Sequence, residues 1–188
     1  TGWSSSQKYQ LVDYLENQIR SEIEGNFSAF IRIAVREFAR EFNEEEAITA
    51  IKRGKFWPNA AFSAFYKLPK KYSPELVKDL KSLDISIRGE NGETYEYIKR
   101  GVIAMLAQYG GDEGTEYLKE IWRRDEARRK DVAIAFSVKP SPDTWPYLLA
   151  SINEVEAEAV EVMNALAKIP QKPQEAFYYR MVIVKAQK

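Results

Sequence analysis

The chain contains no cysteine and no histidine. Without Cys it has no disulfide, thiolate nucleophile, zinc finger, iron–sulfur ligand or c-type haem attachment of its own. Without His it lacks the commonest general base and the commonest metal ligand. A carboxylate pair, a lysine or a tyrosine would have to carry any catalysis, and no spacing marks one. The expectation is a chain that is not an enzyme and holds no cofactor. A Cys-free chain suits either redox compartment. An excess of one charge is missing too: 28 Lys and Arg stand against 28 Asp and Glu. That balance argues against gripping a phosphate backbone and against a polybasic membrane anchor. No run approaches the roughly 18 apolar residues that a bilayer span needs. The chain opens Thr1-Gly2-Trp3, with no initiator Met and no signal peptide. It reads as an excised or processed piece of a longer protein.

What is present is helix. Hydrophobic residues make up 45% of 188 residues, enough for a packed interior. They recur at helical spacing nearly throughout. A first helix from Ser5 or Ser6 carries Val12, Leu15, Ile19 and Ile23 on one face and breaks at Gly25-Asn26. A second carries Phe27, Ile31, Ala34, Phe38 and Phe42. Asn43 with Glu46 predicts a capping box, and Gly54 follows the last turn of that helix. Trp57-Pro58 and Ser73-Pro74-Glu75 open two further helices, with proline where no N–H is needed. The second of these has Leu76, Val77, Leu80 and Leu83 inward, and residues 84–92 read as a loop because of Gly89-Glu90-Asn91-Gly92. A long helix then runs to Gly110-Gly111. Asp112 is expected to cap the next one, with a break near Asp125. Ser141-Pro142-Asp143 repeats the cap-and-proline start after Lys139-Pro140. A further pair ends at Ile169-Pro170, and a last helix starts near Pro173.

The strongest signal is internal. Residues 117–140 align without a gap on 147–170. Tyr117 meets Tyr147, Leu118 meets Leu148, Val132 meets Val162, Ala135 meets Ala165, Phe136 meets Leu166 and Pro140 meets Pro170. The same offset carries Val102, Met105 and Leu106 onto Val132, Ala135 and Phe136. A period near 30 residues with two helices per unit is the signature of a helical solenoid. The expected fold is all-α: a right-handed α-α superhelix of HEAT/ARM type with about five to six antiparallel helix pairs, forming one domain over residues 1–188. An irregular helical bundle is the alternative. Met181 to Val184 would lie bare at an uncapped end, so the natural protein is expected to continue past Lys188.

Several segments resemble one bacterial family. They are Trp3 with Gln7-Lys8 and Tyr14-Leu15, Trp57-Pro58 with Ala60-Ala61, Leu68-Pro69, Glu75-Leu76-Val77 through Leu83-Asp84, and Ile103-Ala104 with Leu106. The densest is Asp125 through Ala133, followed by Lys139-Pro140, Trp145, Tyr147-Leu148 and Ser151, with Tyr179-Arg180 last. The family is the HEAT-repeat region of large exported proteins, where it lies between a sugar-dehydrogenase-like β-propeller and a C-terminal c-type cytochrome domain. The haem-attachment motif belongs to the next domain, so redox chemistry is not carried over. The resemblance implies a spacer or docking module in a periplasmic or otherwise exported electron-transfer protein, with neighbouring domains or another protein as partner.

Three constellations invite a binding role. Lys119, Arg123, Arg124, Arg128, Arg129 and Lys130 outnumber Glu120, Asp125 and Glu126 within 119–130. This stretch could bind an anion or an acidic partner, or be a solvated turn in which Asp125 caps the following helix and Arg128 or Arg129 reaches a carboxylate. Trp57 and Trp145 stand at helix starts, as exposed interface anchors or as packing between repeats. With the four arginines they form the candidate interaction surface. Glu154, Glu156, Glu158 and Glu161 could attract a hard cation, but no ligand-spaced loop accompanies them. Protein rather than nucleic acid is the expected partner. A duplex-binding domain, related in architecture to HEAT-like DNA glycosylases, would instead need Lys52, Arg53, Lys55 and the four arginines on one face.

Overall fold

The computed structural model describes residues 2–21, 26–152 and 159–168. Among these every regular element is a helix. The chain divides into two compact units, Thr1–Gly110 and Gly111–Lys188.

The first unit holds α1 (Ser5–Ser21), α2 (Asn26–Ala39), α3 (Glu44–Lys52), α4 (Pro58–Ala64), α5 (Pro74–Ser86) and α6 (Glu93–Tyr109), with a 3₁₀ turn at Phe65–Lys67. Local chemistry sets the starts. Asn43 accepts from the Glu46 N–H at 2.9 Å, and the Glu46 carboxylate accepts from the Asn43 N–H at 3.0 Å, which is the predicted capping box. The same carboxylate accepts from Lys8 at 2.8 Å and Ser5 at 2.7 Å, tying α1 to α3. Pro58 and Pro74 each occupy a first turn, and the Ser73 hydroxyl accepts from the Leu76 N–H. Helices α2, α4 and α6 pack in succession, α3 packs on α4 and α5, α5 on α6, and α1 on α2 and α4.

Small residues permit this closeness. Ala47, Ala50, Ala60, Ala61 and Ala64 are all buried. A Cβ on Gly54 would stand 2.5 Å from Leu83 Cδ1, and one on Gly101 would stand 2.9 Å from the Phe65 ring. Both glycines are therefore kept by contact, where a methyl group would overpack the site.

The second unit holds α7 (Gly111–Arg124), a 3₁₀ turn at Glu126–Arg128, α8 (Arg129–Val138), α9 (Trp145–Ser151) and α10 (Ala159–Lys168). Helix α8 packs on α7, α9 and α10, and α9 packs on α10. At the 30-residue offset, Val102, Val132 and Val162 are all buried, as are Leu106, Phe136 and Leu166, and Leu118 with Leu148.

Five expectations need correction. Helix α5 continues to Ser86, because Ile87 extends the buried stripe of Leu76, Leu80 and Leu83; the loop expected over 84–92 spans 87–92, with Gly92 at φ 108°. The inward face of α2 is Ile31, Val35 and Ala39, while Phe27 and Ala34 are exposed. Asp112 lies inside the first turn of α7 instead of capping it, since Gly111 at φ 57° makes the reversal itself. Asp125 precedes the 3₁₀ turn but its side chain accepts no capping bond. Residues 141–144 form a turn closed by the Thr144 hydroxyl, which accepts from the Ser141 N–H at 2.9 Å, so α9 starts at Trp145 with Pro146 in its first turn. The expected break at Gly25, the Ile169-Pro170 end and the helix from Pro173 lie outside the described residues.

Candidate functional site

The arginines singled out in the second unit are spent on local structure. Arg123 donates to the Tyr147 hydroxyl at 3.0 Å. Arg124 donates to the Tyr117 hydroxyl at 3.2 Å and lies 5.0 Å from that ring. Arg129 donates to the Trp122 carbonyl at 3.2 Å and pairs with Glu126 at 3.3 Å, so the expected carboxylate contact is made within the turn. Arg128 is buried. Only Arg123 and Arg124 of the four are exposed. Tyr147 sits between Trp122 and Phe136, with ring centroids 5.7 Å away on both sides. Trp145 is half-buried, and its indole N–H is buried with no hydrogen-bond partner among the described residues.

Trp57 is a core residue. It is fully buried, its indole N–H donates to Asp13, the Arg53 guanidinium lies 4.6 Å from its ring, and Tyr9 packs on it at 5.6 Å. It is thus closed to any partner. Lys52, Arg53 and Lys55 pair with Asp79, Asp13 and Glu90 at 3.5, 3.3 and 3.3 Å. The glutamates at 154, 156 and 158 lie outside the described residues, as does the Glu161 side chain.

The most built polar arrangement was not among the sequence candidates. Glu16, on α1, is 1% exposed. Its carboxylate accepts from the Asn59 N–H at 2.8 Å, the Ala60 N–H at 3.1 Å and the Asn59 side-chain amide at 3.1 Å. These backbone donors are the open N–H groups of the first turn of α4, so α1 supplies the cap that Trp57 cannot. Burial raises the Glu16 carboxyl above its ordinary range, although the Asn59 and Ala60 donors and the Arg20 charge pull the other way. The sequence did hold a signal: Glu16 lies four residues after Val12, on the buried stripe of α1.

Glu16 lies at one wall of a cleft of about 440 Å³ formed by α1, α2, the start of α4 and residues 91–95. Arg20, Arg32 and Arg36 line it, with Ile19, Ile33 and Pro58 as apolar wall. Arg36 donates to the Thr94 hydroxyl at 2.9 Å and lies 4.4 Å from the Phe62 ring. Tyr95 donates to the Lys55 carbonyl at 3.1 Å; burial, then the Glu90 and Glu16 charges, raise its phenol above the ordinary value. Among the described residues no cluster of three or more Asp or Glu is placed to hold a metal ion, and no helix is long and apolar enough to cross a membrane.

Comparison with protein families, with curated proteins and with solved structures gave no match.

Proposed function

We propose that the chain is a non-catalytic scaffold and protein-interaction module of a larger multidomain protein, with each unit a segment of a HEAT-like α-α solenoid. The observation that carries this reading is the 30-residue offset. On α8 and α10, Val132 and Val162, Ala135 and Ala165, and Phe136 and Leu166 stand 30 residues apart, and all six are buried. Next-neighbour packing of α2 on α4, α4 on α6, α3 on α5 and α8 on α10 supports it, as stacked helix pairs make such rows. Solenoids present extended surfaces and need no reactive side chain to work. The family resemblance adds to the proposal an exported parent protein that bears a c-type cytochrome domain, with that chain's other domains or a second protein as partner. A duplex-binding role gains no support from Lys52, Arg53, Lys55, Arg123, Arg124 and Arg129, which are engaged within their own units.

The test is cross-linking of the parent protein in its native cells, read by mass spectrometry. The expected result is a set of cross-links from exposed lysines of both units to another domain or protein. Cross-links confined to this chain would overturn the reading, as would saturable binding of a DNA duplex at physiological salt.

A further inference from the structure

We propose that the cleft between α1, α2 and residues 91–95 binds a small organic oxyanion, a carboxylate or phosphate on a compact apolar body, with Arg32 and Arg36 as its main recognition groups. Three guanidinium groups line one cavity in a chain whose overall charge is balanced. Arg53, Lys55, Arg123 and Arg129 are each met by a carboxylate, a tyrosine or a carbonyl, and in the cleft Arg20 is held by the Glu16 carbonyl and Asn17. At Arg32 and Arg36 the donors are not used up. Arg32 is exposed and makes no hydrogen bond or ion pair among the described residues. Arg36 spends one terminal nitrogen on Thr94, and its Nε is buried with no partner. A buried guanidinium N–H without an acceptor is costly, and an oxyanion is the acceptor that matches its fork.

The carboxylates do not cancel this preference. The Glu16 oxygens are turned to α4 and held by three donors there, and burial favours the neutral form. Glu93 lines the cleft but is exposed. Asn59 adds a second mark. Its amide nitrogen is fixed on Glu16, and its Oδ1 is buried without a partner among the described residues, so this wall holds an acceptor that the fold leaves unmet. Ile19, Ile33 and Pro58 supply a wall for the ligand's carbon skeleton, and a volume near 440 Å³ suits a small molecule.

The experiment titrates benzoate and, separately, phenyl phosphate into the 188-residue protein at constant ionic strength, followed by ¹H–¹⁵N NMR. Saturable shifts are expected at the Thr94 and Tyr95 amides and at the Arg36 side-chain N–H. Arg32→Gln should weaken binding about tenfold or more, as loss of a charge-assisted bond implies. Arg40→Gln, an exposed arginine on the same face-to-solvent stretch after α2, should change nothing. Saturation by one probe alone identifies the oxyanion as carboxylate or phosphate and supports the proposal. Absence of saturable shifts with both probes overturns it. So does equal binding by the Arg32→Gln and Arg40→Gln proteins.

Discussion

Replacing Glu16 tests whether a buried carboxylate organises the first unit. In Glu16→Ala, the Asn59 N–H, the Ala60 N–H and the Asn59 amide lose their acceptor together. Each stranded donor costs about 1 kcal/mol or more, so the polar loss is about 3 kcal/mol. Removing the buried side-chain methylenes adds about 1 kcal/mol. A total near 4 kcal/mol is a large part of a domain's stability. Glu16→Gln keeps a carbonyl acceptor and should cost about 1 kcal/mol. The pH dependence separates the charge from the bonds. Because the folded-state pKa is raised above the unfolded value near 4.5, the group favours folding most below that value. Its contribution falls as pH climbs from there through the folded pKa. The stability of wild type minus Glu16→Gln should therefore be largest in acid, decline across that window and then level off. Hydrogen exchange at the Asn59 and Ala60 amides, measured in both proteins from acid to neutral pH, reads the first unit by itself. A difference that grows with rising pH would refute the reasoning, since it would mean that the donors around Glu16 outweigh its burial.

Glu46 should behave in the opposite sense. Burial alone would raise its pKa, but the bonds from Lys8, Ser5 and the Asn43 N–H outweigh this and hold it below its ordinary 4.5. The advantage of wild type over Glu46→Gln should be complete above that value and disappear as pH falls through the folded pKa, as followed by denaturant melts. Asn43→Ala removes the other half of the capping box and should cost about 1 kcal/mol by the same melts. Gly101→Ala should destabilise by about 1–3 kcal/mol despite alanine's better helix propensity, because the new methyl meets the Phe65 ring; adding Phe65→Leu should recover part of the loss in thermal unfolding. The proposed family relation predicts that a longer chain carrying this segment, expressed with c-type cytochrome maturation, gives a haem absorption band; absence of the band would remove that relation.

Features written in short stretches of sequence were legible. The Asn43–Glu46 box, Pro58 and Pro74 depend on residues within one turn, and each sits where its local chemistry puts it. Where two local readings compete, only packing decides. Helix α2 carries apolar residues on most of its circumference, so Phe27 and Ala34 looked as inward as Ile31, and the true face runs through Val35 and Ala39. The Gly89–Gly92 cluster marked a real turn but spread its influence too far back, over residues that Ile87 draws into the core.

Charge was the least legible property, and for a physical reason. A run such as 119–130 counts cations along the chain, but whether a cation is free depends on what lies across from it. Arg128 and Arg129 are neighbours in sequence, yet one is buried and the other sits on a carbonyl and a carboxylate. The cleft in the first unit shows the converse. Glu16, Arg36, Asn59 and Thr94 come from four segments, none of which is unusual alone. Local density of charge therefore pointed mostly at arginines engaged within their own unit, such as Arg123, Arg124 and Arg129. Among the described residues, unfilled polar valence, as at Arg36 Nε, Asn59 Oδ1, Ser63 Oγ and Trp145 Nε1, appears only where packing has withdrawn water from a group and supplied nothing in return.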